Sequence, residues 1–239
     1  MAAADDARQE VRNVLEAFAA APLPDWPAFA ATMTTRRARQ GQVFQSEDDP
    51  VAPSLYLVTG GVVHVRLVSP DAPARTVNFA RPGDLMASLP VIERRSTAPI
   101  SETGRDSVLA KALAAAAAQR YRHTALTAAS YVEIPLHEMH LRAHRSVAWG
   151  RALATAYLVY AQVMRYERDR MRLPAEARYR SFLVDYAPTL RHIQQKDIAD
   201  YLGVSVVGLS RIASRVRREA AGDEAVPSAP LAADSDDVD

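Results

Sequence analysis

The stretch "DIADYLGVSVVGLSRIASRVRR", Asp197 to Arg218, decides the reading of the whole chain. It holds two short helical runs around a "YLGVS" break, with arginines gathered in the second run. In the first run Ile198, Ala199, Tyr201 and Leu202 form one helical face. Gly203 permits the sharp bend between two helices that a bulkier residue would strain. Ser205 is a good N-cap for the helix that follows. In that second helix Leu209, Ile212 and Val216 fall on one face and are predicted to pack inward. Val206, Val207, Ser210, Arg211, Ser214, Arg215 and Arg218 are left outward. A helix with an apolar inner side and small, polar and arginine residues outside can enter a DNA major groove. Its N-terminus and cationic side chains, with Lys196 just upstream, also favour phosphate. The competing reading is a surface helical hairpin with a solvated charged face.

Charge supports the first reading. The chain has 239 residues and a net charge of only +1, so it is no polybasic wrapper of nucleic acid. That total hides a split, for Arg191 to Arg218 carry six Arg/Lys against two Asp, a local +4. From Gly222 to Asp239 there are six acidic residues and no basic ones. This last stretch has no periodicity and is predicted to be a disordered acidic tail. There are no cysteines, which excludes disulfides, thiolate catalysis and Cys-ligated metal centres. No apolar run is long enough to cross a membrane. "MAAADDARQE" lacks a basic n-region, so a secretory signal is not expected and the expected address is the cytoplasm.

Upstream, Ser146 to Met171 reads as one long helix. Val147, Gly150, Ala154, Tyr157, Ala161, Met164, Arg168 and Met171 advance by alternating threes and fours, an a/d seam suited to a sister helix. Trp149, Leu153, Val159 and Val163 form a second apolar face, predicted to lie against the chain's own body. A helix buried wholly within its own domain is the simpler alternative. After Pro174, "AEARYRSFLVDYAP" gives a further helix. Before the long helix the period changes to that of strands: "GQVFQ", "SLYLVTGGVVHVRLV", "ARTVNFARPGDLM", "QRYRHTALTA" and "SYVEIP" are short β-rich runs cut by turn residues. Asp106 to about Ala118 is strong helix-forming sequence set among them. At the front, Asp5 to Ala20 reads as a helix with Val11, Val14, Leu15 and Phe18 on one face, followed by a short helix from Trp26 to Met33.

This order resembles the Crp/Fnr superfamily of bacterial transcription regulators over roughly residues 24 to 218. The likeness rests on "ARQGQVF", "LYLVTGGVVHVRLV", "VNFARPGDLM", "YVEIP", the long helix and "IQQKDIADYLGVSVVGLSRI". It implies an α+β fold: an N-terminal β-roll of the cyclic-nucleotide-binding type, a long dimerisation helix and a C-terminal helix-turn-helix domain. The corresponding boundaries are an N-terminal helix at 1–23, the roll at 24–145 with an inserted helix near 104–119, the dimerisation helix at 146–172, the DNA-binding domain at 173–220 and the tail at 221–239. The resemblance implies a homodimer on double-stranded DNA, with RNA polymerase as a candidate further partner and the effector unknown. Ser205 and Arg211 match family positions that touch phosphate or bases, and Arg211 is the first choice for reading guanine. Val206 and Val207 stand where many relatives carry Arg and Glu. They cannot hydrogen-bond a base, so the family's familiar half-site does not transfer. The family's β-hairpin wing is not recognisable after "RVRREA".

The sensor end departs further. In cyclic-nucleotide-binding relatives the segment after "PGD" is a Gly-Glu phosphate cassette closed by Arg-Ser/Thr-Ala. Here "PGDLMASLPVIERRSTA" puts Ala87 and Ser88 at the Gly and Glu places. Leu85, Ala87, Ser88, Arg95 and Ser96 are the candidate pocket residues, and cyclic AMP is not the expected ligand. His137, His140 and His144 share a helical side, a pattern able to bind metal, but a solvated face is the favoured reading. His64 reads as an outward surface histidine on a strand, not as a haem ligand. No cofactor is implied, and no catalytic motif is recognisable, so an enzyme is not expected. Beside the regulator stands a second class: a β-roll adaptor that acts through protein partners with weak or lost DNA readout.

Overall fold

The computed structural model describes residues 2–46, 54–69, 72–88 and 120–223. The inserted helix near 104–119, Arg95, Ser96 and the tail beyond Asp223 lie outside the described residues.

The chain opens with helix α1, Ala2–Ala19, and the short α2, Trp26–Ala30. On α1 the buried positions are Ala7, Val11, Leu15 and Ala19, one every four residues, with Phe18 packed partly against them. Eight strands follow: β1 Thr34–Ala38, β2 Val43–Gln45, β3 Ser54–Gly60, β4 Val63–Ser69, β5 Ala72–Ala80, β6 Leu85–Ser88, β7 Arg120–Ala125 and β8 Ala129–Pro135. They form two antiparallel four-stranded sheets, ordered β1-β8-β3-β6 and β2-β7-β4-β5. This is the expected α+β class with an antiparallel roll at its front. The β3–β4 turn requires glycine at position 61: its φ is +76°, and a Cβ there would lie 2.2 Å from the Ala128 carbonyl oxygen.

Helix α3, Leu136–Ala143, leads into the long α4, Val147–Arg170, which Ser146 caps by accepting from the Trp149 amide. α1 and α2 are integral to the roll's outer core and do not stand apart from it. Their Val11, Leu15 and Phe29 share one apolar cluster with Leu57, Val132 and Ile134 of the sheet and with Met139, Trp149 and Ala152 of the helices. Phe29 meets Trp149 edge-on at 4.5 Å, and the Trp149 indole N–H donates to the Pro24 carbonyl at 3.0 Å. A second cluster, including Tyr56, Val58, Val63, Val65 and Tyr131, draws on both sheets.

The expected second face of α4 is corrected. Trp149 and Leu153 are buried as predicted, but Val159 and Val163 are 41% and 46% exposed. The chain's own body covers the helix along its N-terminal half only. From Tyr157 onward most large apolar side chains are exposed, Leu158 and Tyr166 most of all, while Tyr160 is half-buried against the roll's core.

After α4 come α5, Ala175–Asp185, a 3-10 turn at Ala187–His192, α6, Gln195–Leu202, and α7, Val206–Asp223. Their core of Phe182, Tyr186, Ile193, Ile198, Ala199, Tyr201, Leu202 and Leu209 also takes in Val62 and Phe79 from the roll. That shared core explains a second correction. The sequence places His64 on the outer side of β4, yet Val62, Val63, His64 and Val65 are all buried. The strand is covered on both faces, by the roll interior on one and by the helical domain on the other, so polar alternation does not mark an outer side. His64 is therefore no surface histidine.

Candidate nucleic-acid interface

The site is built from α6, the turn and α7. Ile198, Ala199, Tyr201 and Leu202 are buried, as their spacing predicts. Gly203 ends α6 in the left-handed conformation, φ +65°, and a Cβ there would come within 3.0 Å of the Met171 terminal methyl. The amides of Gly203 and Val204 close the helix on the Asp200 and Ala199 carbonyls. The chain then turns into α7, where the Ser205 hydroxyl accepts from the Gly208 amide at 3.0 Å. Such a cap stabilises a helix by about 1 kcal/mol. It also leaves the hydroxyl hydrogen of Ser205 free to donate outward.

On α7, Leu209 and Val216 are buried and Ile212 is half-buried, which fixes the opposite side as the outer one. Val206 and Val207 are 47% and 63% exposed. Ser210, Arg211 and Arg215 are exposed and Ser214 is half-buried. Exposed, too, is Lys196 near the start of α6. The cations are not equivalent. Arg215 is tied to Glu176 of α5 at 3.1 Å. Glu176 also binds Arg180, 3.1 Å away, and Arg180 pairs in turn with Glu219. Arg217 and Arg218 lean on carbonyls of their own helix. Arg211 has no hydrogen-bonding or ionic partner among the described residues. The outer face of α7 thus offers a capped helix N-terminus, a free guanidinium one turn further on, and two exposed valines between them.

Of the predicted seam on α4, Val147, Ala154, Tyr157, Ala161 and Met164 are exposed and Gly150 is half-buried. Met171, the last of the predicted seam residues, is exposed and is the C-cap residue of α4, with its terminal methyl beside Gly203. Its place is at the joint between the long helix and the reading turn. The predicted ligand residues are only partly placed. Leu85 is half-buried, and Ala87 and Ser88 pair along β6 with Leu55 and Ser54 of β3. An open groove of about 980 Å³ lies elsewhere, lined by residues of β1, β2, β3, β7 and β8 that include Arg36, Phe44, Tyr56, Tyr131 and Glu133. Leu85 does not line it. His137, His140 and His144 are all exposed, with His140 hydrogen-bonded to the Tyr157 hydroxyl. Among the described residues no group of three or more His, Cys, Asp and Glu could hold a metal ion.

Sequence reasoning missed the joint between roll and helical domain. Asp200 of α6 accepts twice from Thr76 of β5, from its amide at 2.6 Å and its hydroxyl at 2.7 Å. His64 lies 2.9 Å from the same hydroxyl and stacks on Phe79. The Tyr186 hydroxyl donates to Asn78 at 2.8 Å, and Arg81 lies over the Tyr186 ring while bonding the Asp185 carbonyl. On the other side Tyr201 donates to Glu167 of α4, and Arg170 pairs with Asp185. These partners stand up to 124 residues apart, and no local pattern announces them.

No family model and no curated protein matches the chain. Solved structures do match in fold. FixK2 from Bradyrhizobium japonicum superposes with a TM-score of 0.57 at 21% identity, over 79% of this chain and 86% of that one. A transcriptional regulator of the Crp/Fnr family from Eubacterium rectale gives 0.57 at 14% identity, over 82% and 88%. The c-di-GMP-responsive global regulator CLP of Xanthomonas campestris gives 0.51 at 14% identity, over 80% and 89%. At these identities the likeness establishes the fold: the chain has the Crp/Fnr architecture of a roll, a long helix and a helical C-terminal unit.

Proposed function

We propose that the chain is a homodimeric, sequence-specific DNA-binding transcription regulator of Crp/Fnr type. One observation carries the reading: a glycine-turned helix pair presents Ser205, capped and able to donate, beside the unpaired Arg211 on an exposed helix face. Ser205 and Lys196 would hold phosphates and set the register, and Arg211 would read a guanine edge bidentately. Val206 and Val207 would press on thymine methyls. Paired α4 helices would space two reading helices at about one DNA turn, roughly 34 Å. In this assignment residues 24–145 are the sensor, 146–172 the dimerisation helix and 173–220 the DNA-binding unit. The site of action is the bacterial cytoplasm, RNA polymerase is a candidate further partner, and the effector is a small molecule other than cyclic AMP. A gel-shift salt titration on fragments from the protein's own genome tests the reading. At least one fragment is expected to bind better than random DNA at moderate salt, with affinity falling steeply as salt rises. No preference over random DNA would overturn it. The two valines at the reading tip favour the adaptor as the second reading.

A further inference from the structure

Among the described residues β5 is the edge strand of its sheet, bonded to β4 on one side only. An edge strand presents backbone N–H groups with no ladder partner, and each needs another acceptor. At Thr76 that acceptor is a side chain of the reading domain: Asp200 Oδ2 takes the Thr76 amide at 2.6 Å and its hydroxyl at 2.7 Å. Since the Thr76 hydroxyl gives its hydrogen to the carboxylate, His64 must donate to it, from Nε2 across 2.9 Å. His64 and Thr76 are both buried. A directed chain therefore runs from β4 through β5 into α6, and it ends on a carboxylate, which makes its last two bonds charge-assisted.

The two ends of this chain are in suggestive places. Asp200 lies five residues before Ser205, the cap of the reading helix. Val63 and Val65, on either side of His64, belong to the core cluster shared by the two sheets. The β4–β5 ladder is irregular between Val65 and Arg66 and again between Leu67 and Ser69, so this hairpin is not a uniform, rigid ribbon. A rearrangement of the roll interior would reach Thr76 through its neighbour Val77, which packs against that cluster, and from Thr76 would pass directly to α6.

We propose that Asp200 is the latch by which the roll holds the reading head in register, so that movement of the β4–β5 hairpin sets the orientation of α6 and α7. The latched arrangement leaves Ser205, Val206, Val207 and Arg211 exposed, so it is the DNA-ready one. Unlatching frees the head and makes DNA binding pay for its re-ordering. This rests on the DNA-reading proposal for its consequence, though not for its geometry.

The test uses the full chain. It has no cysteines, so spin labels placed by Arg37→Cys on the roll and Arg217→Cys on α7 report one intrachain distance, read after dilution with unlabelled protein. Asp200→Asn is expected to broaden that distance distribution and to speed exchange of the Thr76 amide roughly tenfold, the scale of losing a bond to a charged acceptor. Thr76→Val should broaden the distribution too, and Thr76→Ser should restore it. Melting temperatures of each variant separate unlatching from general unfolding. If Asp200→Asn keeps the wild-type distance distribution and wild-type Thr76 exchange, the latch is wrong. Neither readout needs DNA, so they judge the latch even if the gel shift fails. In the gel shift, Asp200→Asn should weaken specific binding about five- to tenfold and leave random-sequence binding unchanged.

Discussion

His123 should make the roll acid-sensitive in a way that one substitution removes. It is completely buried on β7, and neither ring nitrogen has a hydrogen-bond partner among the described residues. Aromatic rings surround it, Phe44 at 5.6 Å and Tyr56 at 5.5 Å between centroids. Burial pushes its pKa down from 6.5 to about 4. The sign follows from linkage: between those two values the unfolded chain takes up a proton that the folded chain refuses, so stability falls as pH drops below about 6.5 and the loss levels off below about 4. At pH 5 the folded ring is about one-tenth protonated and the unfolded ring almost fully so. The difference amounts to roughly 2 kcal/mol relative to pH 8. His123→Leu fills nearly the same volume with no polar atom. Its neutral-pH stability should lie within about 1.5 kcal/mol of wild type, since a volume-conserving change costs little and two orphaned nitrogens disappear. Urea unfolding of both proteins at pH 8 and pH 5 is the assay. Carboxylates contribute to both chains alike, so the quantity of interest is the difference between the two pH losses, about 2 kcal/mol in favour of the variant. Equal losses would refute the reasoning and mean that the ring finds a partner when it is charged.

Arg211→Ala should abolish sequence selectivity, costing about 1–3 kcal/mol on the preferred fragment and almost nothing on random DNA, as read by competitive gel shift. Lys196→Ala should weaken all fragments alike and lower the slope of log affinity against log salt by about one. With α4 proposed as the dimerisation helix, Met164→Asp should lower the sedimentation coefficient to that of a monomer, whereas Val163→Asp, off the heptad seam, should leave it at the wild-type value.

The parts legible in the sequence are those set by neighbours in the chain. Gly203, Ser205 and the inward Leu209 and Val216 are all placed as their local spacing requires. The strands and the long helix follow from period in the same way. What escaped notice depends on contacts between distant segments. His64 looked outward because a strand with one histidine in an alternating run is normally half-solvated. It is buried because Phe182, Tyr186 and Tyr201 bring a second core against Phe79 beside it. Asp200 stands between the buried Ala199 and Tyr201 with nothing local to mark it, and its partner is 124 residues away.

The misreading of α4 is the most instructive of these, because the pattern was correct and its interpretation was not. Two apolar faces on one helix suggested two partners on opposite sides. The structure separates the partners along the axis instead: Trp149, Ala152 and Leu153 meet the chain's own core, while beyond Tyr157 Tyr160 still packs partly against it and the large apolar side chains on either flank are exposed. Tyr157, Ala161 and Met164 then form one uncovered stripe, and Val159, Val163 and Tyr166 form another. A single sister helix can bury only one stripe. The heptad spacing continues unbroken from Val147 through the first of these, which makes the first the stripe that the proposed homodimer would bury. The second stripe lies between the roll and the reading head, whose joint at Glu167 and Arg170 begins one residue beyond Tyr166. Its exposure therefore belongs to the same region of the molecule as the Asp200 latch, where the orientation of the head is decided.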